Sequence, residues 1–225
     1  MRSERPDEEI RSKSRQLKKY EADTGIFVRD GESDEDAMDF FSPFGPILSR
    51  TRMSSEVIDR LNSFADGIVS PTEGMEFIVP EEQLHEGGHE SFAHQASRSI
   101  ARYLGYVDKV QMNEVRFDVV WMVSQYASTP SPVHFHSGDI SGVLYLKVPQ
   151  IHNEAQEELR TYISGRQAGY INFISGGKQQ YSKSLISFKP AVGDFYVFPG
   201  WLLHGAEPFR GEGERRSLAF NAFVR

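Results

Sequence analysis

Two histidines one residue apart, His134 and His136, lie in the segment PVHFH just before a long apolar run. Side chains at positions i and i+2 of a β-strand point to the same face of the sheet. A His-x-His pair at the start of a strand therefore directs two imidazoles towards one point. Because imidazole is the commonest protein ligand for iron, zinc and copper, the pair offers two ligands for a metal, although taken alone it is more typical of a hydrogen-bonded edge strand.

A third histidine and an Arg-x-Ser pair occur later in the chain. His204 follows a Pro-Gly turn in FPGWLLHG, and such a turn after a strand can bring a distant ligand to the mouth of a barrel. Three ligands on one face of a metal leave open positions opposite them. Arg215 and Ser217 share a strand face, and a guanidinium binds both oxygens of a carboxylate. The pair therefore predicts a small dicarboxylate whose far end lies on Arg215.

The composition limits the kind of protein and the kind of metal. A chain of 225 residues fits one large domain better than two small ones. It contains no cysteine, which excludes disulfides, thiolate metal sites and a cysteine nucleophile. A metal must then be held by histidines and carboxylates, which points to iron, manganese or a catalytic zinc. A net charge of −7 disfavours nucleic acid and anionic membranes as partners. We find neither a signal peptide nor a membrane-spanning stretch and expect a cytoplasmic, intracellular protein.

Hydrophobic patterning divides the chain into an arm, a helical part and a strand-rich part. Residues 1–38 are predicted to form a charged, flexible arm, and 39–225 a single domain with helical support at about 54–105. The predicted helices run from Ser54 or Ser55 to Gly67 and from His89 to Tyr103, with a polar loop between them and a helical excursion at 154–163. From about 114 to 225, short apolar runs alternate with turns. The fold class predicted is mainly β with flanking helices (α+β), with the helices packed outside a jelly-roll barrel.

Three segments in this order, HFHSGDISGVLYLKVP, VFPGWLLHGAEPF and ERRSLAFN, resemble the 2-oxoglutarate and Fe(II)-dependent oxygenases. They are most similar to a branch found in bacteria and phages that has His-x-His, Ser-Gly-Val-x-Tyr and a terminal Phe-Asn. The resemblance covers about residues 114–225. It implies a double-stranded β-helix (jelly-roll, cupin-like) core, iron held by His134 and His204, 2-oxoglutarate held by Arg215 and Ser217, and O2 as the second co-substrate.

The middle metal ligand departs from the superfamily pattern. That position usually carries Asp, and this chain has His136 there, with Asp139 as the nearest carboxylate. Strand geometry favours His136, because a residue at i+5 from His134 does not share its face. A turn at Ser137 and Gly138 would favour Asp139 instead.

Three further side chains are candidates for the pocket. Tyr145, within SGVLYL, resembles a position whose hydroxyl contacts the co-substrate, and the alternative is a tyrosine that only packs. Trp121 and Asn221 are weaker candidates, since a tryptophan in such a run is more often a core residue. We expect His85, His89 and His94 to be surface or capping residues, with a peripheral metal patch as the alternative.

The resemblance implies a dioxygenase that hydroxylates an unidentified substrate and releases succinate and carbon dioxide. Two other classes remain open: a three-His cupin-like metalloenzyme that does not use 2-oxoglutarate, and a non-catalytic jelly-roll binding protein. The Arg215–Ser217 pair argues against the first, and the intact order of ligands argues against the second. The substrate is open between a small molecule, a lipid and a protein side chain, and a homodimer is a further expectation.

Overall fold

The computed structural model describes residues 19–22, 25–30, 37–41, 45–70, 73–108, 111–129, 131–150, 167–177, 180 and 183–225. Within these residues the chain forms three α-helices, a short 3-10 turn and thirteen strands. The helices precede the longest strands, as the sequence predicts. None of the helices in this part of the chain is both long and apolar enough to cross a membrane, and the cytoplasmic location stays a prediction.

Two of the helices form where the sequence predicts them. Helix α1 spans Ser55–Asp66, with Ser54 before it, Gly67 after it and the apolar side chains of one face buried. Helix α3 spans Phe92–Val107 and begins three residues later than predicted, because Ser91 Oγ accepts a hydrogen bond from the backbone N–H of His94 and caps it there.

The third helix lies where the sequence predicts a polar loop. Helix α2 spans Glu81–His85, and a 3-10 turn follows it at Gly88–Glu90. One buried leucine, Leu84, is the only apolar anchor in a helix this short, so no helical period is visible in the sequence.

Nine antiparallel strands form a large sheet in the order β1-β2-β3-β4-β11-β8-β13-β6-β5. Their bounds, in chain order, are β1 Lys19–Ala22, β2 Gly25–Asp30, β3 Met38–Phe41, β4 Leu48–Arg52, β5 Met75–Ile78, β6 Val115–Gln125, β8 Ile140–Lys147, β11 Asp194–Pro199 and β13 Arg215–Val224. Strand β13 lies near the middle and pairs with β8 on one side and β6 on the other.

Four antiparallel strands form a smaller sheet in the order β10-β9-β12-β7. They are β7 Ser131–His134, β9 Ile171–Ile174, β10 Leu185–Phe188 and β12 Leu203–Ala206. Buried side chains of both sheets form one hydrophobic cluster, which places the small sheet against one face of the large sheet. The cluster is Phe41, Leu48, Tyr145, Ile171, Phe173, Ile186, Phe188, Tyr196, Phe198 and Leu202.

The opposite face of the large sheet packs against the helices. Alternate residues of a strand face opposite sides, so each central strand contributes to both layers. In β11, Phe195 and Val197 face α1 and α3, whereas Tyr196 and Phe198 face the small sheet. The result is helices outside two facing antiparallel sheets, which confirms the predicted mainly β, jelly-roll class.

The N-terminal part of the chain contains strands that the sequence does not predict. Strands β1 and β2 fall within the segment 1–38 predicted to be a flexible arm, and β2 pairs with β3 at the end of the large sheet. An edge strand is stabilised by backbone hydrogen bonds to its neighbour and does not need an apolar side-chain pattern. The charged composition of this segment therefore gives no sign of a strand. The division at residue 39 stays a prediction. Residues 1–18 and the predicted helix at 154–163 lie outside the described residues.

Candidate active site

A cavity of about 440 Å³ lies between the two sheets. Both sheets contribute to its walls, and the odd-numbered residues of β6 and β13 point into it, as strand alternation requires. Its lining contains the three sequence-predicted histidines together with the Arg-x-Ser pair. The polar and aromatic side chains of the lining are Glu76, Trp121, Gln125, Ser131, His134, His136, Tyr145, His204, Arg215 and Ser217.

The imidazoles of His134, His136 and His204 converge in this cavity. One nitrogen of each ring can be chosen so that all three lie within 4.8 Å of one another. The ring centroids are 4.5 to 5.0 Å apart. Among the described residues, no other group of three or more histidines and carboxylates comes together in this way.

Pairing of two strands brings the distant histidines together. His204 in β12 lies directly opposite His134, the last residue of β7, so the two rings are neighbours on adjacent strands of the small sheet. The sequence predicts the His-x-His pair at a strand start, whereas the structure has it at a strand end, with His136 in the loop that follows. A hydrogen bond from the His136 backbone N–H to the Gly200 carbonyl (2.9 Å) holds that loop beside the turn before β12.

Backbone carbonyls fix the tautomer of two of the rings. The Nδ1–H of His134 donates to the carbonyl of Pro132 (2.7 Å), and the Nδ1–H of His204 donates to the carbonyl of Leu202 (2.9 Å). Nδ1 must be the donor in both contacts, because a carbonyl oxygen only accepts. The lone pair is then on Nε2, which is the arrangement in which metal-binding histidines are usually held.

Burial keeps the second and third histidines neutral. Desolvation lowers the pKa of His136 to about 4 and that of His204 to about 4, with the neighbouring imidazoles acting in the same direction. Neutral imidazole is the form that binds a metal, so at neutral pH both rings are ready to do so. The donor set of three nitrogens on one side of a cavity fits a divalent first-row metal with open positions opposite.

Asp139, the alternative middle ligand, is placed away from the three rings. Gly138 has a φ of 112°, and the turn it allows carries Asp139 to the end of β13. There the Asp139 carboxylate accepts a hydrogen bond from the backbone N–H of Val224 (3.0 Å). Asp139 is also absent from the residues that line the cavity.

The Arg215 guanidinium is the only arginine group in the cavity lining of the described residues. It is 2% exposed, and its centre lies 5.5 Å from the centre of the Phe209 ring. Ser217 follows on the same face of β13, and Tyr145 lies directly opposite Ser217 on β8. Burial raises the pKa of the Tyr145 phenol, which therefore stays protonated and able to donate a hydrogen bond.

Gln125 and Glu207, which the sequence does not single out, bind Arg215. The Nε–H and an Nη2–H of Arg215 both donate to Gln125 Oε1, at 3.0 and 2.7 Å, and an Nη1–H donates to the Glu207 backbone carbonyl at 2.7 Å. Gln125 is 90 residues from Arg215 in the chain. No local spacing signals such a contact, since it depends on the pairing of β6 with β13.

The remaining candidates divide between the cavity and other surroundings. Trp121 lines the cavity with its ring edge-on to His136, at 5.2 Å between centroids. The Asn221 side chain accepts a hydrogen bond from Ser141 Oγ (3.2 Å) and is not in the cavity lining. Arg216 follows Arg215 in the chain, and its sequence position predicts a solvated neighbour of that residue. The structure differs, because Arg216 is 0% exposed and pairs with Glu214 on the helix side of β13.

A larger cavity, of about 1020 Å³, lies on the other side of the large sheet next to α2 and the start of α3. It contains the three remaining histidines of the described chain, His85, His89 and His94. His89 and His94 contact each other edge-on, but the three do not form a group able to share one metal. The chemistry therefore points to the smaller cavity, where the ligand set and the arginine converge.

Comparison with known proteins shows which family the strand-rich part of the chain is similar to. Residues 119–221 match the family described as "Putative 2OG-Fe(II) oxygenase", a segment that contains the three histidines and the Arg-x-Ser pair. No curated protein matches the chain in sequence.

Solved structures are similar to this chain at low sequence identity. HygX from Streptomyces hygroscopicus, solved with nickel and 2-oxoglutarate, is 12% identical, with a TM-score of 0.50 over 78% of this chain and 81% of its own. A Pseudomonas putida prolyl-4-hydroxylase is 13% identical, with a TM-score of 0.49 over 79% of this chain and 91% of its own. A viral collagen prolyl hydroxylase from Paramecium Bursaria Chlorella virus-1 is 15% identical, with a TM-score of 0.47 over 78% and 94%.

At such identities these structures speak to the fold alone, and the assignment to a family depends on the sequence match. That match spans a little under half of the chain and includes most of the strands that build the cavity. The resemblance seen in the sequence is thus confirmed, and residues 119–221 carry the signature of the 2OG-Fe(II) oxygenase family.

Proposed function

We propose that this protein is a non-haem Fe(II) and 2-oxoglutarate-dependent dioxygenase that hydroxylates a substrate not yet identified. The reaction consumes one O2 and one 2-oxoglutarate; one oxygen atom enters a C–H bond of the substrate and the other enters succinate, while carbon dioxide leaves. The observation that carries this proposal is the convergence of three histidines and one buried arginine in a single cavity between the sheets.

His134, His136 and His204 would hold the iron through one nitrogen each. Fe(II) with open positions supplies the activation of O2 and the oxidative decarboxylation of 2-oxoglutarate, which protein side chains alone do not provide. The backbone contacts of His134 and His204 fix ring orientation, and the dry surroundings of His204 limit competition from water. Three neutral ligands also leave the full charge of the ion to attract the dianionic co-substrate.

Arg215 would bind the distal carboxylate of 2-oxoglutarate. A guanidinium that lies inside a low-dielectric cavity interacts more strongly with a carboxylate than one in water does. Ser217, beside it on the same strand face, and Tyr145, opposite Ser217, would donate hydrogen bonds to the same ligand. The molecule would then lie with its keto-acid end towards the histidines.

A three-His enzyme without 2-oxoglutarate is the second candidate, and one observation favours it: the middle ligand is a histidine where a carboxylate is usual. Such an enzyme has no need of a buried arginine held in the same cavity, which is why we place it second. A non-catalytic binding protein would have no need to hold two imidazoles with Nε2 free. The substrate would be a small molecule, a lipid or a protein side chain, and a homodimer stays a prediction.

Turnover without the substrate provides the first test. We expect purified protein supplied with Fe(II), 2-oxoglutarate, O2 and ascorbate to form succinate slowly, with ascorbate supplying the two electrons that the missing substrate would have given. Succinate is measured by NMR or mass spectrometry against the protein with iron chelated. Succinate formation equal in both samples would contradict the proposal.

A further inference from the structure

Gln125 and Arg215 are directly opposite each other on the neighbouring strands β6 and β13. One atom, Gln125 Oε1, accepts hydrogen bonds from both Nε (3.0 Å) and Nη2 (2.7 Å) of Arg215. Gln125 is 7% exposed and Arg215 is 2% exposed, so water does not replace this acceptor easily. The contact determines the plane of the guanidinium, because two donors of a rigid fork share a single oxygen.

The number of N–H donors on the Arg215 guanidinium shows how many are left to bind a ligand. It has five N–H groups. Three of them have acceptors among the described residues: two donate to Gln125 and one to the Glu207 carbonyl. The two that remain equal the number needed to bind both oxygens of one carboxylate.

We propose that Gln125 is a positioning residue that orients Arg215 for the distal carboxylate of 2-oxoglutarate, an inference that rests on the proposed function. A neutral amide suits this role. It holds the guanidinium as an aspartate or glutamate would, but it leaves the positive charge of Arg215 available to the co-substrate.

The orientation has a consequence for the length of the acid that fits. With the keto-acid end bound near the histidines, the position of the two Arg215 N–H groups that have no acceptor among the described residues sets how far away the second carboxylate must lie. A guanidinium held in one plane therefore selects one chain length, and a guanidinium free to turn tolerates several. Gln125 is thus expected to control discrimination between 2-oxoglutarate and its longer homologue 2-oxoadipate.

Two substitutions of Gln125 separate the effect of orienting the Arg215 guanidinium from the effect of its charge. In Gln125→Met, which has a similar shape and no comparable acceptor, we expect about tenfold weaker 2-oxoglutarate binding, since two buried donors lose their acceptor. We also expect the ratio of the affinities for 2-oxoglutarate and 2-oxoadipate to fall by about the same factor. The kcat at saturating 2-oxoglutarate should change by less than about twofold. In Gln125→Glu, the acceptor is kept and the charge of Arg215 is offset, so affinity should fall while discrimination is retained.

Both acids are titrated into the full-length, Fe(II)-loaded protein without O2, and KM and kcat for 2-oxoglutarate are measured in the succinate assay. Gln95→Met is the matched control, because Gln95 bonds to Ser54 and Glu90 on the helix side, away from the cavity. Gln125→Met with unchanged discrimination would overturn the inference, as would Gln125→Glu losing discrimination to the same extent as Gln125→Met. If the unsubstituted protein binds neither acid, the proposed function itself has failed, which is a different result.

Discussion

Replacement of His204 with alanine is expected to abolish stoichiometric iron binding. The side chain is 7% exposed, lies opposite His134 across the small sheet and presents one of the three converging nitrogens. Loss of even an outer partner of a metal ligand lowers metal affinity about 10- to 100-fold, so loss of a ligand itself should lower it by more than about 100-fold. Iron content after anaerobic loading and desalting measures the effect.

His85→Ala is the matched control for this experiment. His85 is an exposed histidine on the helix side of the large sheet and has no part in the three-His group. It should therefore load iron as the unsubstituted protein does. If His204→Ala keeps a normal thermal unfolding transition and still binds one iron per chain, His204 is not a ligand.

The second large effect concerns Arg215. Arg215→Ala is expected to weaken 2-oxoglutarate binding at least about 30-fold while iron binding stays intact, because removal of one partner of a buried, hydrogen-bonded charge pair costs about 2–5 kcal/mol. We expect the two effects to be separable, since Arg215 is held by Gln125 and Glu207 and not by the histidines. Calorimetric titration of the Fe(II)-loaded protein, together with its iron content, measures both quantities.

Two further variants show why Arg215→Ala would lose affinity for 2-oxoglutarate. Arg215→Lys keeps the positive charge but loses the planar pair of N–H donors that binds both oxygens of a carboxylate. It should therefore recover only part of the affinity for 2-oxoglutarate. Arg210→Ala, at an exposed arginine nearby in the chain, should bind 2-oxoglutarate normally. Equal loss of iron and 2-oxoglutarate in Arg215→Ala would mean that Arg215 supports the fold and does not bind the ligand.

Local patterns predicted the elements whose signals lie in contiguous residues. The helix from Ser55 follows a serine, a residue type that favours helix starts, and has an apolar period and a terminal glycine. The apolar run RRSLAFNAFV forms β13. Helix α2 was missed because it is short and has one buried leucine, which gives no helical pattern. Strands β1 and β2 were missed because backbone pairing with neighbouring strands stabilises them. The burial of Arg216 was missed because strand parity alone does not show that α1 covers that face.

The parts of the candidate site were predictable to the extent that they lie on one strand. Arg215 and Ser217 reach the same cavity because they are two residues apart on β13. The meeting of His134 with His204 depends on the pairing of β7 with β12, which only the order of motifs in the resembling family indicated. Gln125 carries no signal of its own, because its role follows from its register against Arg215.

Anaerobic addition of Fe(II) and 2-oxoglutarate to the purified protein tests the central claim most directly. When a keto acid chelates Fe(II), a metal-to-ligand charge-transfer band appears in visible light. We expect this band to saturate at one equivalent of each per chain, to disappear in His204→Ala and to require a higher 2-oxoglutarate concentration in Arg215→Ala. An Fe(II)-loaded protein that shows no such band at saturating 2-oxoglutarate would contradict the account.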